Sequence, residues 1–279
     1  MKKLVIVSAV AAALAAPSAV LAQASTSPHT FSGNVGVVSD YLFRGISQTH
    51  GKPAIQGGFD YSHASGLYAG TWLSSISWVQ DAQARSVPTE IDLYGGFKNS
   101  FAGTYWGYDV GFISYNYPGT ITTAGSAKAN TAEVYGGLSW KWLSAKYSHT
   151  TSSHFVGWYG GPTGTNTSIG TRGSNYLELN ASYDLGSGWG ITGHMGKQKV
   201  KNYVPAGDTN ASYTDWKIGV TKDVGFGVVA LAYSDTNSKG TCVNAVGGTN
   251  AYCWGSAGGT ADFKDTSKGT AFLSFTKSF

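Results

Sequence analysis

Strict alternation of apolar and polar residues is the dominant pattern of this chain from residue 31 onward. Between residues 175 and 185, one face of the pattern is apolar and consists of Leu177, Leu179, Ala181, Tyr183 and Leu185. The residues between them are polar, and similar windows occur at 90–97 and 133–141. A period of two places successive side chains on opposite sides of a β-strand and fits no α-helix. The chain is therefore predicted to be all-β.

The low charge of the chain indicates where such strands lie. Only 12% of the residues are Asp, Glu, Lys or Arg, about half the share of about 25% in soluble domains. Aromatic residues make up 14%, and beyond the N-terminus no apolar run is long enough for a membrane helix. A β-barrel crosses lipid with strands in which only alternate residues are apolar. These properties predict a transmembrane antiparallel up-and-down β-barrel.

Turn residues divide the alternating region into segments of strand length. We count twelve segments, an even number, as in bacterial single-chain barrels with both chain ends in the periplasm. The predicted strands are 31–48, 54–63, 66–78, 89–98, 104–117, 131–140, 143–153, 174–185, 189–200, 212–222, 226–237 and 268–279.

The connections between these segments alternate in length. The short ones lie at 63–66, 99–103, 142, 186–188 and 223–225. The long ones are 79–88, 118–130, 154–173, 201–211 and 238–267, with 51–53 as a brief exception among them. Short periplasmic turns and longer outer loops are typical of outer-membrane barrels, whereas a soluble sandwich predicts no such alternation.

Residues 1–24 have the features of a Sec-type signal peptide. Lys2 and Lys3 precede a short apolar run, and small residues at 22–24 supply a cleavage site. The alternative is a retained N-terminal anchor, for which the run is too short to span a membrane. We expect residues 25–279 to form the barrel in the cell outer membrane. Without the two lysines the 19 basic residues become 17, against 15 acidic ones, which is too balanced to predict a nucleic-acid partner.

The last predicted strand ends in an aromatic residue. Ala271, Leu273, Phe275 and Phe279 share one face, which resembles the terminal signature that the barrel assembly machinery reads. Lys277 departs from this apolar face, and we expect it to reach the periplasmic interface. The alternative is an ordinary edge strand that ends in Phe. We predict that the barrel assembly machinery and outer-membrane lipid are partners of this chain.

Aromatic residues cluster near the ends of the predicted strands. In transmembrane barrels, Trp and Tyr rings form girdles at the two membrane interfaces, where an amphipathic ring is most stable. The predicted girdle residues are Tyr41, Phe43, Trp78, Tyr105, Trp106, Tyr115, Tyr117, Trp140, Trp142 and Trp189.

The two cysteines, Cys242 and Cys253, lie eleven residues apart in a segment rich in Gly, Asn and Thr. In an exported protein this spacing favours a disulfide that closes a loop. A metal site is the alternative, but no histidine lies nearby in the sequence to complete a ligand set. We predict a disulfide, and neither a metal nor a cofactor.

Two stretches near the start of the mature chain form a long motif: residues 38–49, VSDYLFRGISQT, and residues 52–61, KPAIQGGFDY. In this motif, and in EIDLYGG at 90–96, the chain resembles the TorF-type porin family of proteobacterial outer-membrane proteins. The resemblance extends over essentially the whole mature chain. It implies an outer-membrane barrel with a porin-like role and an undefined substrate, and it transfers no functional residue.

The strand faces opposite the apolar sets are unusually rich in charge. An interior charge needs water or a partner. These residues therefore either line a water-filled path or pair across the strands, as Arg44 with Asp60 or Asp92, and plug the barrel. The predicted lumen-lining residues are Asp40, Arg44, Asp60, Glu90, Asp92, Asp109, Glu133, Lys141, Glu178, Asp184 and Lys217. Acidic residues predominate, which favours a narrow channel for small hydrophilic solutes or ions with a weak cation preference.

An enzyme within the barrel is one alternative function. Such a site needs a nucleophile beside a base, and the candidates are His149 with Ser148 or Ser152, and His154. Alternation points His149 toward lipid and away from Ser148, so no catalysis is predicted. We expect His194 to be a hydrogen-bonded lumen residue rather than a metal ligand.

A non-conducting barrel that displays its outer loops for adhesion or structural partner binding is the second alternative. The loops 154–173 and 238–267 are the candidates, and the first carries aromatic residues suited to recognition. For the loop around Trp158, folding into the barrel mouth is an equally open interpretation.

Overall fold

The computed structural model describes residues 27–83, 86–119, 128–162, 164–205, 210–244, 247–256 and 261–279. Twelve long strands dominate this part of the chain: β1 (His29–Val38), β2 (Ala54–His63), β3 (Leu67–Ser75), β4 (Thr89–Ser100), β5 (Trp106–Asn116), β6 (Thr131–Trp140), β7 (Leu143–Thr150), β8 (Asn175–Gly186), β9 (Trp189–Lys199), β10 (Tyr213–Asp223), β11 (Val228–Thr236) and β12 (Thr270–Ser278). A short helix, α1 (Trp78–Gln83), lies in a connection. Within the described residues, no helix is long and apolar enough to cross a membrane. The predicted signal peptide, residues 1–24, lies outside the described residues.

The twelve strands form one closed antiparallel barrel. Each strand pairs with its neighbours in the chain, and β1 pairs with both β2 and β12. At the seam, Asn34 lies opposite Ser278 and Val38 lies opposite Ser274. Closure leaves no strand edge unpaired, which satisfies the backbone polar groups where water is absent. The prediction of a 12-stranded antiparallel barrel is confirmed.

Apolar side chains face outward from the barrel wall. On β8, Leu177 and Leu179 are 51% and 56% exposed, whereas the inward-facing Tyr176 is 2% exposed. The same outward apolar set continues around the barrel and includes Val35, Phe59, Leu73, Leu93, Phe112, Val134, Met195, Ile218, Leu231 and Leu273. An apolar surface of this extent is stable against lipid and unstable against water. The outer surface of the wall therefore has the character of a membrane-spanning barrel.

The two ends of the barrel differ in their connections. Five short turns, at 64–66, 101–105, 141–142, 187–188 and 224–227, lie at the end where β1 begins and β12 ends, which we call the turn end. The longer connections, at 39–53, 76–88, 117–130, 151–174, 200–212 and 237–269, lie at the opposite loop end. Lys141 and Ser187 adopt φ values of 52° and 53° in two-residue turns, as tight hairpins require.

Strand β1 ends at Val38, well before the predicted end at residue 48. Leu42–Phe43 pairs with Ile46–Ser47 to form a separate small hairpin, the lumen hairpin (residues 42–47), which folds into the barrel from the loop end. At its turn Gly45 has φ 81°, and a Cβ there would lie 2.8 Å from Asp215 Cβ on β10, so a larger residue does not fit. The expectation that 51–53 is a brief outer connection was wrong, because the whole of 39–53 is the connection.

The connections at the loop end pack on one another through aromatic rings. Trp158 contacts Tyr203 and Tyr252, with ring centroids 5.5 Å and 5.8 Å apart. Trp78 of α1 lies against Trp254, with centroids 6.0 Å apart. These contacts join four connections into one layer across the mouth of the barrel.

The predicted aromatic girdle is present at the turn end only. There Tyr105, Trp106, Trp142 and Trp189 are between 45% and 64% exposed, and Trp140 is half-buried. The prediction was wrong at the loop end, where Tyr41, Phe43, Trp78, Tyr115 and Tyr117 are buried or half-buried. These rings pack in the lumen and beneath the loop layer, because the connections fold inward and strand β5 turns its last rings to the interior.

The predicted disulfide between Cys242 and Cys253 is present, with Cα atoms 5.4 Å apart. Each cysteine begins one strand of a short hairpin: Cys242–Val243 pairs with Gly247–Gly248, and Cys253–Ser256 pairs with Ala261–Asp265. Elsewhere in the loop layer, Gly161–Pro162 pairs in parallel with Tyr203–Val204.

Candidate functional site

The candidate site is the barrel lumen, which the lumen hairpin narrows from the loop end. Tyr41, just before the hairpin, packs edge-on against Trp72 of β3, with ring centroids 5.3 Å apart. Phe43 packs in the same manner against Tyr115 of β5, with centroids 5.4 Å apart. Apolar contact with the lumen wall therefore holds one side of the hairpin. The hairpin needs apolar residues on that side, so its sequence shows the same apolar–polar alternation as β1.

Asp40 fastens the base of the hairpin. Its Oδ1 accepts a 2.6 Å hydrogen bond from Ser47 Oγ and a 3.0 Å hydrogen bond from Thr49 Oγ1. Burial raises the pKa of Asp40 above its ordinary value, although the two hydroxyl groups and the nearby Lys264 oppose this rise. The carboxyl group thus closes the loop while remaining costly to ionise.

Arg44 ties the tip of the hairpin to the far wall. Its guanidinium donates to Glu133 of β6 through Nη2–Oε2 at 2.6 Å and Nη1–Oε1 at 3.2 Å. Nη1 also donates to Gln198 Oε1 of β9 at 2.7 Å. The rings of Tyr176 and Phe155 lie over the same guanidinium, at 4.3 Å and 5.7 Å. A buried two-point ion pair is directional and costly to break. Arg44 therefore holds the tip of the hairpin against β6 and β9.

Two carboxyl groups beside the hairpin have few partners. Glu90 and Asp92 of β4 are each 1% exposed. Glu90 Oε1 accepts a 3.2 Å hydrogen bond from Tyr117. Glu90 Oε2 and both carboxylate oxygens of Asp92 have no hydrogen-bond partner among the described residues. In register, Asp92 lies between Trp72 and Tyr115. A buried carboxyl group of this kind needs a proton, a water molecule or a cation.

A second polar cluster lies on the wall formed by β7 to β10. Lys146 Nζ is 2.8 Å from Glu178 Oε1, and Asn180 Nδ2 donates to Glu178 Oε2 at 3.1 Å. His194 Nδ1 is 2.6 Å from Asn180 Oδ1, and His194 Nε2 is 2.9 Å from Asp215 Oδ1. Because the amide nitrogen of Asn180 faces Glu178, its oxygen faces the ring. Both ring nitrogens therefore lie within hydrogen-bond distance of an oxygen, which fixes the orientation of the ring.

Tyrosine hydroxyl groups donate to the remaining lumen carboxylates. The pairs are Tyr68 with Asp109 at 2.6 Å, Tyr94 with Asp60 at 2.6 Å and Tyr176 with Asp215 at 2.9 Å. The lumen thus has a wall on β3 to β6 that combines aromatic rings with carboxylates, and a wall on β7 to β10 that carries the cluster of lysine, histidine and carboxylate groups. Such a lining offers hydrogen bonds and ion contacts to a polar solute.

The structure brings some of the predicted lumen residues together and separates others. Arg44 pairs with Glu133, and not with Asp60 or Asp92 as the sequence suggested. Buried or half-buried positions in the interior are occupied by Asp40, Arg44, Asp60, Glu90, Asp92, Asp109, Glu133, Glu178 and Lys217.

Two predicted lumen residues lie outside the interior. Lys141 was wrongly assigned, because it is exposed in the turn after β6, with Nζ 4.6 Å from the centre of the Trp140 ring. The strand ends one residue earlier, so alternation no longer governs its direction. Asp184 is exposed at the turn-end rim, where its Oδ1 accepts a 2.8 Å hydrogen bond from the backbone of Gly186.

Gln198 and Asp215 are lumen residues that the sequence reasoning missed. Each lies at an even spacing from a residue assigned to the lumen, Gln198 from His194 and Asp215 from Lys217. Extending the alternation to the strand ends would have found both. His194 lies in the lumen with hydrogen bonds to both ring nitrogens, as expected. Among the described residues, no group of three or more His, Cys, Asp or Glu is arranged to hold a metal ion.

Comparison with known proteins identifies a family but no curated relative. A family model described as a bacterial protein of unknown function (Gcw_chp) matches residues 22–266. No curated protein matches the sequence.

Several solved structures resemble the barrel at low sequence identity. The KdgM porin superposes with a TM-score of 0.49 and 7% identity, covering 89% of this chain and 99% of that chain. The NanC porin gives a TM-score of 0.44 and 10% identity over 89% and 98% of the two chains. LpxR from Salmonella typhimurium gives 0.40 and 10% over 89% and 99%.

Proposed function

This chain belongs to the Gcw_chp family of bacterial proteins of unknown function, and we propose that it is an outer-membrane channel. It passes small hydrophilic solutes or ions by passive diffusion, with a weak preference for cations and without catalysis or a cofactor. The observation that carries the proposal is the polarity of the lumen, where ionisable side chains occupy the positions that a sealed barrel would fill with apolar ones.

The contrast between the two faces of one strand illustrates this argument. On β8, Leu177 and Leu179 face lipid, while Glu178 and Asn180 face the interior and are half-buried. An ionised group is stable inside a barrel when water or a partner reaches it. Toward the turn end the inward-facing Ser182 is exposed, which supports a water-accessible vestibule on that side.

The lumen hairpin makes the loop-end half the narrow part of the path. It crosses from β1 toward β6 and β9, and Arg44 bonds to both of those strands. A barrel of twelve strands is wider than the side-chain-filled eight and narrower than the open sixteen. A constriction formed by one inward connection therefore limits the path to small solutes unless the hairpin moves.

The proposed cation preference follows from the charges of the described lumen residues. The carboxylates in the interior are those of Asp40, Asp60, Glu90, Asp92, Asp109, Glu133, Glu178 and Asp215. The interior cationic side chains are those of Arg44, Lys98, Lys146 and Lys217, with His194 as a fifth when protonated. An excess of negative charge at a narrow path concentrates cations and repels anions.

A planar-bilayer recording tests the proposal. The purified, heat-modifiable barrel would be reconstituted between unequal KCl solutions, and the single-channel current and reversal potential measured. We expect discrete current steps, and a reversal potential whose sign shows that K⁺ passes more readily than Cl⁻. A Glu90→Gln/Asp92→Asn variant is expected to move the reversal potential toward zero, whereas Asp184→Asn at the exposed rim controls for loss of a negative charge.

A folded barrel without conductance would contradict the channel and favour the loop-display alternative. The observation behind that alternative is the loop layer, in which Trp158, Tyr203 and Tyr252 pack over the mouth. The disulfide between Cys242 and Cys253 lies in the longest of these loops.

Location and assembly are part of the same proposal. Residues 1–24 are a signal peptide, residues 25–279 reach the outer membrane, and the turn end faces the periplasm. The barrel assembly machinery would read the alternating segment that ends in Phe279. In the folded barrel the backbone of Phe279 exchanges hydrogen bonds of 2.8 Å and 3.0 Å with Gly33 beside the seam. The TorF-type resemblance is consistent with this channel and remains a proposal.

A further inference from the structure

A cluster of lysine side chains lies on the outer face of the wall at the loop end. Lys197 and Lys199 of β9 are exposed and belong to the outward set of that strand, together with Met195, which is 58% exposed. Gln198 between them faces the lumen and is 1% exposed. The two ammonium groups therefore extend from the lipid-facing surface and not into the channel.

The height of these lysines matches the outer edge of the apolar band. Lys197 is eight residues along β9 from Trp189, the girdle ring at the turn end. At about 3.3 Å per residue and a strand tilt of about 40°, the two lie about 20 Å apart along the barrel axis. The apolar band of a transmembrane barrel is about 25 Å tall, so an extended Lys197 side chain reaches the headgroup region.

The lysines share a pocket whose described lining residues include no carboxylate. The pocket has a volume of about 470 Å³, and its lining includes Lys197, Lys199, Lys239, Asn210, Asn237 and Thr214. None of the ion pairs formed by the described residues includes any of the three lysines. The ammonium, amide and hydroxyl groups of these described lining residues form a donor set that suits a multiply charged oxyanion.

Apolar surface continues directly below the pocket. Lys197 lies opposite Leu177 of β8, and Met195 lies opposite Trp216 of β10. All three apolar side chains face outward and are between 43% and 58% exposed. An oxyanion held by the lysines would therefore have acyl-chain contacts next to it, which a soluble anion does not use.

We propose that this pocket binds the phosphate groups of lipid A, the glycolipid of the outer leaflet, with its acyl chains against β8 to β10. The assignment rests on the outer-membrane orientation of the proposed function, in which the loop end faces outward, but not on conductance. Basic groups at a membrane surface bind anionic headgroups with an energy that adds over the lysines.

Native mass spectrometry of the purified full-length barrel in detergent tests this site. Bisphosphorylated lipid A would be titrated against the wild type, a Lys197→Gln/Lys199→Gln variant and a Lys222→Gln control at the turn end of β10. We expect the double variant to bind about tenfold more weakly or worse, Lys239→Gln to lie between, and Lys222→Gln to bind as the wild type. Heat-modifiability confirms folding of each variant.

Three outcomes would overturn the assignment. The first is unchanged lipid A binding by the double variant. The second is equal binding of lipid A stripped of its phosphates, which would indicate acyl contacts only. The third is displacement of lipid A by equimolar inorganic phosphate, which would indicate a soluble-anion site. Planar-bilayer current measured on the same samples separates this test from the channel proposal, because lipid binding and conductance can fail independently.

Discussion

Arg44 and Asp92 illustrate two opposite situations for a buried charge. The guanidinium of Arg44 is bonded to Glu133 and Gln198 and lies under the ring of Tyr176. The carboxyl group of Asp92, which is also buried, has no hydrogen-bond partner among the described residues. A paired buried charge holds structure in place, whereas an unpaired one is stable only with a proton, a water molecule or a mobile cation. Arg44 therefore anchors the hairpin, and in the proposed channel Asp92 is a position where a passing cation would interact.

Replacing Arg44 by Ala is expected to release the lumen hairpin. The change leaves Glu133 buried without its partner, and loss of one member of such a pair costs up to about 3–5 kcal/mol. The unfolding free energy in urea should fall by part of that amount, because water entering the lumen solvates Glu133. Single-channel conductance in planar bilayers should rise, since the tip no longer bonds to β6 and β9.

Arg172→Ala is the matched control, because Arg172 is exposed in an outer connection. Arg44→Lys keeps the charge but loses the two-point geometry, and we expect an intermediate conductance. Wild-type conductance and stability in Arg44→Ala would show that the ion pair does not hold the hairpin.

At the scale of elements, the lumen hairpin depends on one carboxyl group at its base. Asp40 is 4% exposed and accepts hydrogen bonds from Ser47 and Thr49. Burial raises its pKa above the ordinary value of 3.8. The folded protein therefore favours the protonated form, so ionised Asp40 reduces stability at neutral pH, and this loss disappears as the pH falls through the raised pKa.

Asp40→Asn is expected to be more stable than the wild type at pH 7. The amide oxygen still accepts from both hydroxyl groups, and the group no longer ionises. The difference in unfolding free energy should shrink as the pH is lowered toward 3.8, the ordinary value. Urea unfolding of both proteins between pH 4 and pH 8 measures it. A difference that grows on acidification would contradict the role assigned to Asp40.

At the scale of the whole molecule, the two faces of the barrel wall suit different environments: the outer face suits lipid and the inner face suits water. Its outer face carries apolar side chains and an aromatic girdle at the turn end, and its inner face carries hydroxyl, amide and ionisable groups. Adjacent residues of a strand therefore meet opposite physical requirements. Leu179 and Asn180 on β8 are such a pair, because Leu179 is 56% exposed on the outer face and Asn180 bonds to His194 in the lumen.

Arginine at these two positions is expected to have opposite effects. Leu179→Arg places a charge in lipid and should lower the unfolding free energy by about 2–4 kcal/mol near the bilayer midplane. Asn180→Arg places the charge beside Glu178, where water and a carboxylate are available, so the barrel should still fold. Heat-modifiability reports folding. The reversal potential of Asn180→Arg should shift toward the value expected for Cl⁻ permeation. Equal loss of folding in both variants would contradict the assignment of the faces.

Except for β1, whose predicted end lies ten residues too late, the strand bounds were predicted to within about three residues, because alternation is a local property. Whether Leu179 faces lipid follows from its own strand, and no distant contact is needed. The length pattern of the connections is equally local, and it predicted which barrel end carries the long loops. The errors lie where a strand ends, as at Lys141, because a turn changes side-chain direction without changing residue type.

The sequence by itself determined the closed twelve-stranded barrel, its apolar outer face and the disulfide between Cys242 and Cys253. Only the tertiary structure decided that the hairpin at residues 42–47 enters the lumen and that Arg44 meets Glu133 on the far wall. The physical reason is that a β-hairpin inside the barrel and a strand in lipid show the same alternation. The lumen partners come from strands distant in sequence, and barrel closure alone sets which of them face each other.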